Sequence, residues 1–252
     1  MATYVLTGGA TGIGAATKHK LWGAGHTVIT VDIKEADYVA DLGDASARAE
    51  VIDAIKRDHP ALDGIITCAG VGSDFPDPAK ILAINFFGSQ ALIAGLSGSV
   101  IAGGRIVAIS SNSAPMCIND SLVQAMLSLD ETEAAVQAAT SNGHECYAGS
   151  KQAIARWMRQ VAPEYAKRGI AFNAIAPGYI ETPMTAAIAN DATYGEAIKQ
   201  FVESIPIGRP GQPNDIANLI TFLLSPDAAF VAGSLIYCDG AHDAMMRPEG
   251  LF

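Results

Sequence analysis

Thr3-Tyr4-Val5-Leu6-Thr7-Gly8-Gly9-Ala10-Thr11-Gly12-Ile13-Gly14 is the stretch that decides the fold. A short apolar and β-branched run ends at Thr7, a glycine turn follows, and residues 12–24 continue with apolar side chains at helical spacing. Strand, glycine turn and helix in that order form the context of a dinucleotide-binding loop, whereas a glycine pattern without it carries little weight. Gly8 suits the tight turn, Gly12 lets the backbone approach a pyrophosphate, and Gly14 lets helix and strand pack closely. The helix start then offers N–H groups and a positive dipole end to the phosphates.

Asp32 strengthens this reading. It ends the second expected strand, 18 residues beyond Gly14, close to the ~20 expected of an acid that accepts hydrogen bonds from an adenosine ribose. Its carboxylate would repel a 2′-phosphate, no Arg stands beside it, and Gly9 occupies the position where a basic side chain could meet that phosphate. NAD is therefore expected over NADP, and Lys34, two residues on, is the feature that keeps NADP open. A solvated aspartate at a strand end is the plainer alternative.

Outward from this unit the same alternation repeats. Strands are expected at Thr3–Thr7, 27–31, 64–67, 105–110, 170–176 and Leu235–Cys238, with helices at 12–24, Ala45–Asp58, 78–96, 147–167 and 214–224. Such a series implies an α/β fold, a single doubly wound parallel sheet of Rossmann type, because each parallel connection crosses over right-handedly and places helices on both faces. Without an internal repeat or a long Ser/Gly linker, residues 1–252 are expected to form one domain. Two segments interrupt the alternation. Residues 119–143 are acidic and helix-forming, and residues 179–206, with Met184 and Phe201 among Ala and Ile, are expected to form one or two helices outside the sheet. Ligands bind at the carboxyl ends of parallel strands, so additions there are placed to cover one.

Composition narrows the class. At 252 residues a folded chain buries about 70–75% of its unfolded surface. Half the residues are hydrophobic and 17% are charged, which excludes a disordered tail protein, a collagen-like repeat and a small disulfide scaffold. Acids outnumber bases 26 to 16 for a net charge of −10, and without a Lys/Arg cluster a nucleic-acid partner is not expected. The four cysteines have no CxxC spacing and no Cys/His grouping suits zinc, so no metal is expected. The first strand begins at Thr3 with no basic-then-apolar segment before it, and a cytoplasmic location is expected. Residues 81–104 lack charge over 24 positions, long enough to span a bilayer. Asn85, Gln90, three serines and five glycines within them favour a buried helix and loop over a membrane partner.

Tyr147 and Lys151 are four apart, hence neighbours on one helix face, and of seven tyrosines only Tyr147 has Lys at that spacing. An adjacent ammonium lowers the phenol pKa from its usual ~10, which makes acid–base work on an alcohol hydroxyl possible. Alone, the pair equally fits the surface of an amphipathic helix. It is not alone: Thr7-Gly8-x-x-x-Gly12-x-Gly14, Asp41-Leu42, Cys68-Ala69-Gly70, Asn85, Ser110-Ser111, Tyr147-x-x-x-Lys151 and Asn173-Ala174-Ile175-Ala176-Pro177-Gly178 follow one another along the chain. In that order the chain resembles the short-chain dehydrogenases/reductases from end to end. The resemblance implies that Tyr147 exchanges a proton with the substrate oxygen while Ser111 hydrogen-bonds it. It further implies that Lys151 holds the nicotinamide ribose and depresses the Tyr147 pKa, and that Asn85 keeps a water in a proton relay. Gly8, Thr11, Gly12, Ile13, Gly14 and Asp32 would hold the cofactor, Asp41 and Leu42 would contact adenine, and the Cys68-Ala69-Gly70 turn would pack on the adenosine ribose. Pro177, Gly178, Ile180 and Thr182 would hold the nicotinamide amide.

Three departures from the family pattern stand out. Cys68 replaces the Asn of an Asn-Ala-Gly turn, Ala241 replaces the second Gly of an Asp-Gly-Gly, and Ser111 and Tyr147 are 36 residues apart where the family commonly has far fewer, which marks 119–143 as an insertion. With that insertion, Tyr147-Ala-Gly-Ser-Lys151, Thr182-Pro183, Tyr194-Gly195-Glu196 and the tail Asp243-Ala-Met-Met-Arg-Pro248, the chain is similar to the bacterial 3α-hydroxysteroid dehydrogenase/carbonyl reductase branch. That implies reversible NAD-linked oxidation of a 3α-hydroxysteroid or reduction of carbonyl compounds, with coniferyl or another aromatic alcohol as the alternative substrate. Met116, Met184, Ile188 and Phe201 are candidates for an apolar pocket, or for ordinary core. Extra helices beside the tyrosine helix would obstruct the pairing usual in relatives, so a homodimer through another surface is expected. Cys146, His144 and His242 are expected to be inert. A remote alternative, a nucleotide-sensing protein without catalysis, would lack one of Ser111, Tyr147 and Lys151, and all three are present.

Overall fold

The computed structural model describes residues 1–189 and 195–250, and side chains other than those of residues 187–198. Seven strands, β1 (Thr3–Thr7), β2 (Thr27–Asp32), β3 (Tyr38–Val39), β4 (Leu62–Thr67), β5 (Val100–Ile109), β6 (Ala171–Pro177) and β7 (Leu235–Cys238), form one sheet. Its order is β3-β2-β1-β4-β5-β6-β7 with every pairing parallel. The order reverses between β1 and β4, the switch point at which such sheets bind ligands beyond their carboxyl ends.

Strand alternation builds the two layers. Along β1, β4 and β5, Val5, Ile65 and Ile106 face one cluster while Leu6, Ile66 and Val107 face the other, because successive side chains of a strand point to opposite faces. On the second face lie α1 (Gly12–Gly23) and a C-terminal helix at Pro213–Leu224, through Leu21, Ile216, Ile220 and Leu223. On the first lie α2 (Ala45–Asp58), α3 (Pro78–Leu82), a π-helical turn at Ala83–Gly88, α4 (Ser89–Leu96) and the long tyrosine helix. The uncharged stretch thus folds as core: most of Pro78–Ser99 is buried.

Residues 119–143 supply α5 (Asp120–Leu127) and α6 (Glu131–Ala138), followed by α7 (Gly143–Lys167), the tyrosine helix. Asn119 and Asp130 cap α5 and α6 by accepting the Leu122 and Glu133 N–H groups. Leu122, Val123, Met126, Ala134 and Ala138 are buried in the same cluster as the sheet. Glu131 pairs with Arg48 of α2, whose guanidinium is buried and also donates to the carbonyls of Leu42 and Ala83. Residues 179–206 contain α8 (Pro183–Ala189) and α9 (Gly195–Glu203), then come α10 (Pro213–Leu224) and α11 (His242–Met246). The side chain of Ile188 and the segment Tyr194-Gly195-Glu196 lie outside the fully described residues.

Four features differ from expectation, the first being β5, which begins at Val100 where the strand was expected from 105 and so takes the end of the uncharged stretch into the sheet. The helix expected from Tyr147 begins at Gly143, where Asn142 accepts from the Glu145 N–H and the Glu145 carboxylate accepts from the Asn142 N–H. That reciprocal cap was present in the sequence as Asn-x-x-Glu. The helix expected over 78–96 has the π turn in its middle, a feature frequent at functional sites. β3 was not anticipated, since two residues carry no periodicity.

Candidate active site

A cleft of about 290 Å³ opens along the carboxyl ends of β1, β2, β4, β5 and β6. Eighteen of the expected residues line it: Gly8, Thr11, Gly12, Ile13, Gly14, Asp32, Asp41, Leu42, Cys68, Ala69, Gly70, Ser111, Tyr147, Lys151, Pro177, Gly178, Ile180 and Thr182. Asn85 is the exception.

The glycine loop is shaped as a cradle. Gly8 has φ +75, and a Cβ there would stand 2.6 Å from the Ala69 nitrogen; at Gly14 a Cβ would meet the Gly8 carbonyl oxygen at 1.9 Å. Loop, helix α1 and the turn after β4 therefore pack backbone to backbone. Thr11 precedes the helix without a side-chain cap, so first-turn N–H groups are left for an anion, as the helix dipole favours. Asp32 closes this end. Its Oδ2 accepts from the Ala10 N–H at 3.0 Å and its Oδ1 from the Ile33 N–H at 2.7 Å, which ties the acid to the loop and leaves other lone pairs on the two oxygens. The flanking wall is Ala40, Asp41, Leu42 and Ile84, with Lys80 donating to the Gly43 carbonyl at 3.0 Å and standing 3.9 Å from Asp41. A dinucleotide fits these donors and this shape.

At the other end Ser111, Tyr147 and Lys151 converge. Ser110 ties β5 to α7 by donating to the Lys151 carbonyl at 2.7 Å. The Lys151 ammonium is buried, donates to the Ile109 carbonyl at 3.1 Å, and lies 5.7 Å from the centre of the Tyr147 ring. Burial lowers its pKa to about 8, with Cys68 acting the other way. For Tyr147 the expected balance is reversed. Burial pushes the phenol above its usual range and the Ser111 hydroxyl pulls it back; the Lys151 ammonium is engaged with Ile109 rather than with the phenol. Desolvation of a charged phenolate outweighs a charge several ångströms away.

Asn85, on the π turn, stands behind the wall. Its Oδ1 accepts from the Val71 N–H at 2.8 Å, while Nδ2 donates to the Val71 carbonyl at 3.1 Å and to Ser150 Oγ at 3.3 Å. It fixes the 70–71 turn between the glycine loop and Lys151. Cys68 lines the cleft, but burial raises its thiol to about 12; Cys146 is buried and raised to about 11, chiefly by burial. Neither forms a thiolate near neutral pH. His144 is exposed, and buried His242 meets Phe201 edge to face with centroids 4.6 Å apart. Among the described residues no group of three or more His, Cys, Asp or Glu could hold a metal.

Of the apolar candidates, Met184 lines the cleft beside Val71 and Pro183. Met116 is half exposed outside it, and Phe201 packs on Tyr179 and His242. Sequence reasoning passed over Val71, Met184's neighbour Thr185 and Ser113; only the last had a local signal, Ser-x-Ser.

Residues 2–121 match the family described as short chain dehydrogenase, and residues 125–241 the one described as enoyl-(acyl carrier protein) reductase. The chain is 36% identical to a 3-alpha-hydroxysteroid dehydrogenase/carbonyl reductase of Comamonas testosteroni, over 98% of this chain and 99% of the relative. It is 30% identical to a cis-4-hydroxycyclohexanecarboxylate dehydrogenase of Sinomonas cyclohexanicum, over 96% of both. The crystal structure of a 3-alpha-hydroxysteroid dehydrogenase from Pseudomonas sp. B-0831 complexed with NADH superposes with a TM-score of 0.94 at 38% identity, covering 99% of this chain and all of that one.

Proposed function

The chain belongs to the short-chain dehydrogenase/reductase family, and on that premise we propose that it uses NAD to oxidise a secondary alcohol reversibly to a ketone. The substrate we assign is a 3α-hydroxysteroid, with carbonyl compounds reduced in the opposite direction. The observation that carries this reading is the convergence of Ser111, Tyr147 and Lys151 at one end of a cleft whose other end is the glycine loop and Asp32.

A nicotinamide bound in the cleft supplies the acceptor for the carbinol hydrogen. Everything else falls to the chain. The Tyr147 phenolate takes the hydroxyl proton, and Ser111 donates a hydrogen bond to the same oxygen, holding it as charge develops. Lys151, 5.7 Å from the Tyr147 ring, contributes positive charge up to its lowered pKa of about 8, and Asn85 holds the Val71 backbone at the wall. Asp32, already fixed by Ala10 and Ile33, accepts ribose hydroxyls and repels a 2′-phosphate. A side chain at position 9 would place its Cβ 3.0 Å from Thr30 Cγ2, which leaves little room for a phosphate-binding base. The wall at Val71, Pro183 and Met184 suits an apolar alcohol.

Androsterone, coniferyl alcohol and cyclohexanol, each offered with NAD and NADP, test the substrate by absorbance of the reduced cofactor. Turnover of androsterone with NAD is expected; activity confined to coniferyl alcohol or cyclohexanol would replace the steroid assignment. Tyr147→Phe should lower kcat by roughly 10²–10⁴ while NADH still binds. Because burial holds the phenol high, alcohol oxidation should rise with pH above neutrality. Ketone reduction, which needs the protonated phenol, should hold at neutral pH and fall on the alkaline side.

Assembly follows from the same surfaces. We propose a homodimer that avoids the outer face of α7, since α5 packs against that helix and Arg156 of α7 reaches Asp120 at 3.0 Å. Light scattering that gives a tetramer, with α5 and α6 outside every contact, would overturn it.

A further inference from the structure

Ser111 sits on the turn after β5, and its Oγ accepts two hydrogen bonds from a single residue. The Ser113 N–H donates at 3.1 Å and the Ser113 hydroxyl at 2.9 Å. A serine oxygen offers two lone pairs and one proton. With both lone pairs occupied inside the turn, the Ser111 proton is left to be given outward, into the cleft that Ser111 shares with Tyr147.

We infer that Ser113 is a positioning residue that locks Ser111 as a hydrogen-bond donor, its one proton given to the Tyr147 oxygen before substrate binds and to the reacting oxygen once substrate is bound, given the roles proposed for those two residues. The turn that carries it is held on both sides. Ala114 N–H donates to the Ser111 carbonyl at 3.1 Å, Met116 N–H to the Ser113 carbonyl at 2.9 Å, and Asn112 N–H to the Pro177 carbonyl at 2.9 Å. The Asn112 side chain adds contacts to Asp239 at 3.4 Å and to His242 at 3.3 Å. Ser113 therefore delivers its hydroxyl to a fixed place.

Two consequences follow from the direction of these bonds. A hydroxyl that accepts from another hydroxyl is polarised and becomes a stronger donor, so Ser111 grips an oxygen that is gaining negative charge more tightly than it grips a neutral one. A Ser111 oxygen with a vacant lone pair could instead accept the Tyr147 proton, which stabilises the neutral phenol and opposes its action as a base. Ser113 occupies that lone pair.

Ser113→Ala, Ser113→Thr, Ser111→Ala and the double variant with Ala at both positions provide the test, with alcohol oxidation followed against pH. Ser113→Ala should lower kcat about 3–10-fold, the effect of one neutral hydrogen bond, with NADH affinity unchanged. The acid limb of its profile should move to higher pH by about half a unit, because the phenol is harder to ionise. Ser113→Thr keeps the hydroxyl and should restore both rate and profile. Ser111→Ala should collapse turnover, and the double variant should be no worse, since Ser113 acts only through Ser111. An unmoved pH profile in Ser113→Ala overturns the inference even if kcat drops. So does a double variant slower than Ser111→Ala by the full factor of Ser113→Ala. Parent-like turnover by Ser111→Ala would instead overturn the chemistry proposed for Ser111 itself, so the two failures are told apart.

Discussion

The two helical additions to the sheet, α5–α6 and α8–α9, are similar in length and differ in how they are attached. Leu122, Val123, Met126, Ala134 and Ala138 of the first are buried in the same cluster as the sheet, and Glu131 reaches across to Arg48 beside the Leu42 carbonyl. In the second, the described residues make polar and aromatic contacts. Thr185 Oγ1 donates to the Ile180 carbonyl at 2.7 Å and accepts from the Thr182 N–H at 2.9 Å, and Phe201 meets His242 edge to face. Met184 stays 40% exposed. One addition is part of the core and braces the Leu42 wall of the cleft, while Met184 and Thr185, among the described side chains of the other, line the cleft itself. Burial separates the two roles: a residue already packed cannot also yield to a ligand.

Substitutions that respect or cross this division should sharpen it. Leu122→Ala removes a fully buried side chain from α5 and should cost about 2–5 kcal/mol of stability by thermal or denaturant unfolding; a loss below 1 kcal/mol would make the insertion a cover like the other. Glu131→Gln leaves the buried Arg48 without its carboxylate and should cost about 1–2 kcal/mol, since Glu131 is itself 39% exposed and water takes part of its place. The same variant should weaken NADH binding a few-fold in a fluorescence titration, with kcat little changed, because the Arg48 guanidinium also holds the Leu42 carbonyl of the cofactor wall. Asp32→Ala should bring the NAD to NADP preference down about tenfold or more in kcat/KM, the worth of a charged hydrogen-bonding acid, without touching either addition. Met184→Ala should change stability by less than about 0.5 kcal/mol and show itself in KM, which should differ between a bulky alcohol and cyclohexanol. Equal KM changes for both would remove Met184 from substrate contact.

Much of the cofactor half was legible residue by residue. Gly8 and Gly14 were assigned turn and packing roles from spacing, and the backbone contacts a Cβ would violate at each agree. The two helical additions were legible only as anomalies in the alternation, because helix-forming composition says nothing of which face will find a partner. Asn85 shows the limit most clearly. Its place in the order of motifs was evident, yet its side chain clamps the Val71 backbone behind the wall rather than lining the cleft.

By itself the sequence determined whatever depends on separation along the chain. The strand–turn–helix unit, Asp32 at the end of the next strand, and Tyr147 one helical turn from Lys151 are all set by local geometry, in which residue spacing translates directly into position. Tertiary structure decided what depends on surroundings. It took the Lys151 ammonium to the Ile109 carbonyl, set the Asn85 amide on the Val71 backbone, and drew Arg48 and Glu131 together across 83 positions. It also reversed the expected direction of the Tyr147 pKa, because desolvation is the sum of everything packed around a group, and no spacing between two residues records that sum.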